Sequence, residues 1–201
     1  MSDTRTEIAG APQIALSRGI GQVVLVLQGG GALGAYQVGV YEALHNAGIE
    51  PDWVIGTSIG AINASLIAGN DPDRRLQRLS AFWDRVRFGS LHQALASAPL
   101  LGGLAANWLT MVGGIPGFFQ PNPLAFFGSQ LPLGSESAGY YSTSPLRQTL
   151  EALVDFARIK RRTTRLTVGA ANVRSSEMRY FDSREMVLDA RHVMASGALP
   201  P

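Results

Sequence analysis

The chain has no cysteine, which excludes disulfides, thiolate-bound zinc and thiol catalysis. Its three histidines, His45, His92 and His192, lie far apart in sequence, so a histidine-built metal site is not expected. Charge is scarce as well. Charged residues make up 16% of the chain, against about 25% in an average globular protein, and 17 basic against 15 acidic groups leave a net charge of +2. The sequence pI of 9.3 overstates the basicity. Lys160 is the only lysine, and the other cations are arginines, which do not deprotonate. A surplus of this size does not predict nucleic-acid binding. No stretch of about 18 unbroken apolar residues occurs, so no clear membrane-spanning helix is expected. The N-terminus, MSDTRTEIAGAPQ, lacks the basic and then apolar regions of a secretory signal. The expectation is a cytoplasmic protein, with peripheral contact at the membrane left open.

What is present is apolar. Hydrophobic residues are 46% of the 201, too many for a disordered chain and enough for one large domain with a core. Residues 1–20 read as a loose N-terminal tail and residues 21–201 as the domain. From Phe88 to Ser135 there is no Asp, Glu, Lys or Arg. Glycine, proline and asparagine interrupt that stretch, which argues against membrane insertion. Its plainest reading is apolar helices and loops packed on the core. The sharper expectation is that Leu104, Trp108, Phe118 and Phe119 help to wall an apolar cleft.

The element pattern is that of a parallel α/β sheet. Val23–Leu27 is a short, wholly apolar run, suited to a strand buried on both faces. A glycine loop follows, and then a helix on which Tyr36, Val40, Leu44 and Ala47 recur at steps of four and three, with Gly48 at its C-terminal cap. Trp53–Ile55 reads as a second buried strand, Gly56–Gly60 as a tight turn and Ala61–Ala68 as helix. Asp71-Pro72 opens a helix to about Arg85, and Ser144-Pro145 opens another to about Phe156. Arg165–Val173 and Met178–Asp182 read as strands joined by a turn at Ser175-Ser176, with a last helix from about Asp189. Strand and helix alternating at the start argue for an α/β fold.

Two glycine clusters stand out. Gly29, Gly30, Gly31 and Gly34 form G-x-G-x-x-G between a strand and a helix, where consecutive backbone N–H groups meet a helix N-terminus and make an anion site. The anion can be a phosphate or the oxyanion of an acyl-transfer intermediate. A dinucleotide site would need an acid at the far end of the second strand. Glu50 and Asp52 have nearly the right spacing but precede that strand. Its far end carries Gly56, Thr57, Ser58, Ile59 and Gly60 instead, matching G-x-S-x-G. A nucleophile on a strained strand-to-helix turn needs small neighbours two residues to either side, because the flanking backbones nearly touch. The plain alternative is an ordinary capping serine. Adjacent parallel strands put both loops on one edge of the sheet, so that one loop offers a nucleophile and the other an oxyanion hole.

The order LVLQGGGALGAYQVGVYEAL, about twenty residues, then GTSIGAINASL, resembles the patatin-like phospholipases, chiefly their bacterial branch. The match is strong over about Val23–Ala68, and the closing ASGALPP is similar to the family's segment before its catalytic Asp. The resemblance implies a three-layer α/β/α sandwich with a mostly parallel sheet. It also implies a calcium-independent lipid acyl hydrolase that needs no cofactor or metal, with a lipid or phospholipid as substrate and a Ser–Asp dyad without His. Ser58 matches the nucleophile and Gly29, Gly30 and Gly31 the oxyanion loop, with Gly34, Gly56 and Gly60 completing the motifs.

Two departures matter. Leu33 stands where many members carry Arg or Lys. The family's Asp lies in Asp-Gly-Gly or Asp-Gly-Ala, and no Asp-Gly occurs anywhere here. The chain ends at Pro200-Pro201, shortly before the resemblance puts that motif. The expectation is a domain cut short of it, so that residues 1–201 alone hydrolyse esters poorly.

Two other functions remain open at this stage. One is a nucleotide- or anion-binding module using the glycine loop. The other is an α/β-hydrolase with His192 as base, since the order Ser, Asp, His is available. His45 and His92 read as structural, Asp182 as a solvated acid at a strand end, and Lys160 lacks the motif of a Ser–Lys base. Arg158, Lys160, Arg161, Arg162 and Arg165 read most simply as a solvated turn, and more sharply as a patch for anionic lipid.

Overall fold

The structure is a computed structural model that describes residues 21–86, 120–121, 141–142 and 144–197. A four-stranded sheet organises it. β1 (Val24–Leu27), β2 (Trp53–Thr57) and β5 (Arg165–Ala171) run parallel in the order β1-β2-β5, and β6 (Met178–Asp182) closes the edge antiparallel to β5. The helices are α1 (Gly34–Asn46), α2 (Ile59–Ala68), α3 (Pro72–Val86), α4 (Ser144–Leu153), α5 (Phe156–Lys160) and α6 (Ala190–Gly197). A two-residue antiparallel pair, β3 (Gln120–Pro121) with β4 (Tyr141–Ser142), stands apart from the sheet. The fold is α/β, a mixed and mostly parallel sheet with flanking helices, as the alternation of elements implied. The expected tail at 1–20 lies outside the described residues. So does the uncharged stretch 88–135 apart from β3, and with it Leu104, Trp108, Phe118 and Phe119.

Helix α2 sits at the centre. All ten of its residues are buried, and it packs on β1, β2 and β5 while touching α1, α3, α4 and α6. Gly60, Ala61, Ala64 and Ala68 keep it slim enough for that position, while Ile62, Leu66 and Ile67 fill the space around it. Phe82 and Leu79 of α3, Leu146 and Leu150 of α4, Leu166 and Val168 of β5 and Val193 of α6 complete the core. Each such side chain contributes about 1.5–3 kcal/mol by leaving water.

Three local features differ from the sequence reading. β1 is buried on one face only: Leu27 is inside, but Val24 and Val26 are exposed. An apolar run alone cannot tell one buried face from two. The helix from Ser144 stops at Leu153 rather than Phe156. Asp155 adopts an extended conformation there and its carboxylate accepts from the Arg158 N–H at 3.0 Å, capping the new helix α5. Asp182 is buried rather than solvated. The other end signals act as read. Gly48 takes φ +73° after α1, with its N–H on the His45 carbonyl and that of Ile49 on Leu44, which closes the helix end. The Asp71 backbone carbonyl accepts from the Arg74 and Arg75 amides ahead of Pro72, which starts α3 where the sequence put it, while its carboxylate pairs with Arg158.

The edge of the sheet where β1 and β2 begin is tied by charge. Arg75, 2% exposed, donates to the Asn70 carbonyl, to Thr164 Oγ1 at 2.8 Å and to Glu50. Glu50 also accepts from the Tyr41 hydroxyl and meets His45 Nδ1 at 2.5 Å. Burial first, and Glu50 second, push the Tyr41 hydroxyl far above the usual phenol range. Asp52 accepts from the Val23 N–H at 2.8 Å.

Candidate active site

Ser58 stands between the end of β2 and the start of α2, with φ 54° and ψ −126°. Few residues with a side chain adopt such angles, and they cost of order 1–3 kcal/mol, so the surroundings must hold them. The flanking glycines show how. A Cβ on Gly56 would overlap the backbone of Gly60, and one on Gly60 would overlap the carbonyl of Leu27. The helix therefore starts in backbone-to-backbone contact with both strands, and Ser58 is left on the bend.

The glycine loop lies against it. Leu27 of β1 pairs with Gly56 of β2, so the chain leaving β1 passes beside the turn. A Cβ on Gly29 would lie 3.2 Å from Ser58 Cβ and 3.9 Å from Ser58 Oγ. Gly30 and Gly31 have φ +149° and +57°, conformations that few other residues take, and a short 3-10 turn over Gly31–Leu33 leads into α1. Gly34 packs against the side chains of Ile59 and Trp83 with no room for a Cβ. The structure thus brings Gly29 and Ser58 together on one sheet edge, with Gly30, Gly31, Gly34, Gly56 and Gly60 in the two turns that form it.

Three polar side chains brace the glycine loop, and the sequence reading missed them. Asn63, buried in α2, donates to the Gly34 carbonyl and to Gln37 Oε1, both at 2.9 Å, and accepts from Trp83 Nε1 at 3.2 Å. Gln37 donates in turn to the Gln28 carbonyl at 2.8 Å. The available signal was an asparagine inside a helix of small and apolar residues, where a buried amide requires partners. Ser196 of α6 was missed too. Its Oγ accepts the Ser58 N–H at 2.7 Å and donates to the Gly169 carbonyl at 2.5 Å.

The other candidates lie elsewhere. His192 takes the Asp189 N–H on Nδ1, sits 3.0 Å from the Asp189 carboxylate and packs edge-on against Phe181. No hydrogen bond joins it to Ser58 among the described residues. Asp189 is held down at about 2, chiefly by its hydrogen bond from Arg191. Asp182 pairs with Thr167 at the level of Ile55, two residues below Thr57, and β6 runs away from the Ser58 edge. Burial acts to raise its pKa, but hydrogen bonds from Arg165, Thr167 and the Arg184 amide outweigh this and hold it below the usual carboxylate range. Glu50 and Asp52 lie at the opposite edge from the glycine loop, already bonded, which removes the ribose-binding acid of a dinucleotide site.

A model of the family described as "Patatin-like phospholipase" matches residues 25–201. The chain belongs to the patatin-like phospholipase family. A patatin-like phospholipase domain-containing protein of Caenorhabditis elegans is 41% identical over 81 residues, 40% of this chain and 6% of that protein. The lysophospholipase nte1 of Aspergillus terreus is 61% identical over 46 residues, 23% of this chain and 3% of its own length. This chain thus spans only a small part of the curated relatives it matches. Among solved structures, VipD from Legionella pneumophila aligns at 17% identity and TM-score 0.48 over 89% of this chain and 42% of its own. ExoU from Pseudomonas aeruginosa, solved in complex with SpcU, aligns at 21% identity and TM-score 0.42 over 89% and 38%. Among the described residues, no helix of this patatin-like domain is long and apolar enough to cross a membrane.

Proposed function

We propose that Ser58 is the nucleophile of a lipid acyl hydrolase and that the backbone N–H groups of Gly29, Gly30 and Gly31 form its oxyanion hole. The observation that carries this reading is the strained turn at Ser58 with the glycine loop packed against it. The Ser58 oxygen attacks the ester carbonyl and a base takes its proton. The carbonyl oxygen becomes an oxyanion held by the loop amides. Collapse of that intermediate expels the alcohol, which carries the proton away, and water then releases the acyl group from Ser58. The family and the lysophospholipase relative support a lipid or phospholipid ester as substrate. The surface supports it too: Leu33, Tyr36 and Val173 are 78%, 79% and 81% exposed on the glycine loop, the first turn of α1 and the β5–β6 turn. All three belong to the edge that carries Ser58, which suits peripheral contact with a lipid surface.

The base is an Asp in an Asp-Gly-Gly or Asp-Gly-Ala turn, as in the family. None of the eight Asp residues of this sequence precedes a glycine. Under this reading the base lies outside residues 1–201, and those residues alone hydrolyse esters poorly, since the missing proton transfer is commonly worth about 10²–10⁴-fold. The test is labelling of the protein by a fluorophosphonate, with an ester assay alongside. Ser58 should be the residue labelled, and Ser58→Ala should abolish both signals. Full activity of residues 1–201, lost in Asp182→Ala or His192→Ala, would install an internal base and refute this account.

A further inference from the structure

We infer that Ser196 is a positioning residue that holds the Ser58 turn in its strained conformation through its hydroxyl. This rests on the assignment of Ser58 as nucleophile. Thr57 pairs with Gly169 in the parallel ladder between β2 and β5. Were β2 to continue, the Ser58 N–H would meet the Gly169 carbonyl directly. It cannot, because the chain bends at Ser58 to enter α2. The Ser196 hydroxyl fills the gap, accepting from Ser58 N–H at 2.7 Å and donating to Gly169 at 2.5 Å. One hydroxyl therefore uses its donor and an acceptor position at once and joins α6, the turn and the end of β5.

The turn needs this tie. The Ser58 carbonyl is engaged by the Ala61 and Ile62 amides as α2 begins, which fixes the turn on its C-terminal side. On its N-terminal side the ladder has ended, and the Ser58 N–H has Ser196 as its partner. Without the hydroxyl, that N–H and the Gly169 carbonyl both lose their partner. Relief of the positive φ then becomes favourable, and the relief swings Oγ away from Gly29. Ser196 also belongs to the ASGALPP segment, whose part in the site the glycine motifs left unexplained. Its role here is mechanical, since it reaches the backbone of the nucleophile rather than the nucleophilic oxygen.

The experiment compares Ser196→Ala and Ser196→Thr with the whole wild-type protein. It reads the rate of Ser58 labelling by a fluorophosphonate, the split between kcat and KM for a soluble ester, and the melting temperature. Loss of a hydrogen bond that leaves a buried partner open corresponds to an effect of about 5-fold to 150-fold. Ser196→Ala should therefore lower the labelling rate and kcat by about 5-fold or more with KM little changed. Ser196→Thr, which keeps the hydroxyl, should restore most of both rates. Wild-type labelling in Ser196→Ala overturns the proposal, as does equal slowing in both variants at an unchanged melting temperature. If Ser196→Ala does not fold, Ser196→Thr decides: wild-type rates support the hydroxyl relay, and a tenfold loss in a folded protein overturns it. If the wild-type protein itself is not labelled at Ser58, the nucleophile assignment fails instead.

Discussion

A single methyl group has opposite consequences at different glycines of this chain. At Gly60 it would overlap the Leu27 carbonyl and at Gly56 the Gly60 backbone. Gly60→Ala or Gly56→Ala must therefore push α2 off the strands, and we expect a loss of about 3 kcal/mol or more in urea denaturation, with Ser58 labelling abolished. Gly39 lies inside α1 with nothing within 4 Å of a Cβ. Gly39→Ala should stabilise the protein by about 0.5–1 kcal/mol, because alanine loses less backbone freedom in a helix. A destabilised Gly39→Ala, or a Gly60→Ala that melts like wild type, would refute the contact geometry. The glycine spacing around Ser58 was readable because it reports a local backbone constraint. Ser196 was not, since its partner is 138 residues away and one hydroxyl leaves no pattern in a sequence.

At the scale of elements, α2 links the turn to the glycine loop. Its apolar character and the small residues facing the strands were legible, as were the end of α1 at Gly48 and the start of α3 at Asp71-Pro72. The break between α4 and α5 was not, because the apolar pattern continues through it while one Asp side chain ends the helix. The role of Asn63 was not legible either, since its partners Gly34, Gln37 and Trp83 come from two other helices. Asn63→Leu removes the amide and leaves the Trp83 N–H and the Gln37 side chain without it. We expect about 1–3 kcal/mol of destabilisation in urea. We also expect slower labelling of Ser58, since Gln37 then holds the Gln28 carbonyl less firmly at the start of the loop. Unchanged labelling and stability in Asn63→Leu would show that the loop keeps its shape by backbone alone.

The whole molecule separates its tasks between the two edges of the sheet. The edge at the ends of β1 and β2 carries Ser58, the glycine turns and exposed apolar side chains. The opposite edge holds the ion pairs. Arg158 meets Asp71, Arg161 meets Asp155 at 3.3 Å, Arg162 donates to the Ser183 carbonyl, and Arg165 bonds Asp182 while lying 3.8 Å over the Trp53 ring. Four of the five cations of the basic run, all but Lys160, are therefore engaged within the fold, on the side of the sheet away from Ser58. Asp182 makes this testable by pH. Its folded pKa lies below the unfolded value, so the unfolded chain binds the proton first on acidification. The stability that the carboxylate contributes is present above its unfolded pKa of about 3.9 and is lost as pH falls through the folded value. Asp182→Asn cannot ionise and also leaves Arg165 without its counter-charge. We expect it to be less stable than wild type at pH 7, and the difference to shrink as the pH is lowered through the range below about 4. Urea midpoints of the two proteins from pH 7 to pH 2 measure this. Two parallel curves would mean that Asp182 has the same pKa folded and unfolded, and would remove it as the acid-sensitive tie of this edge.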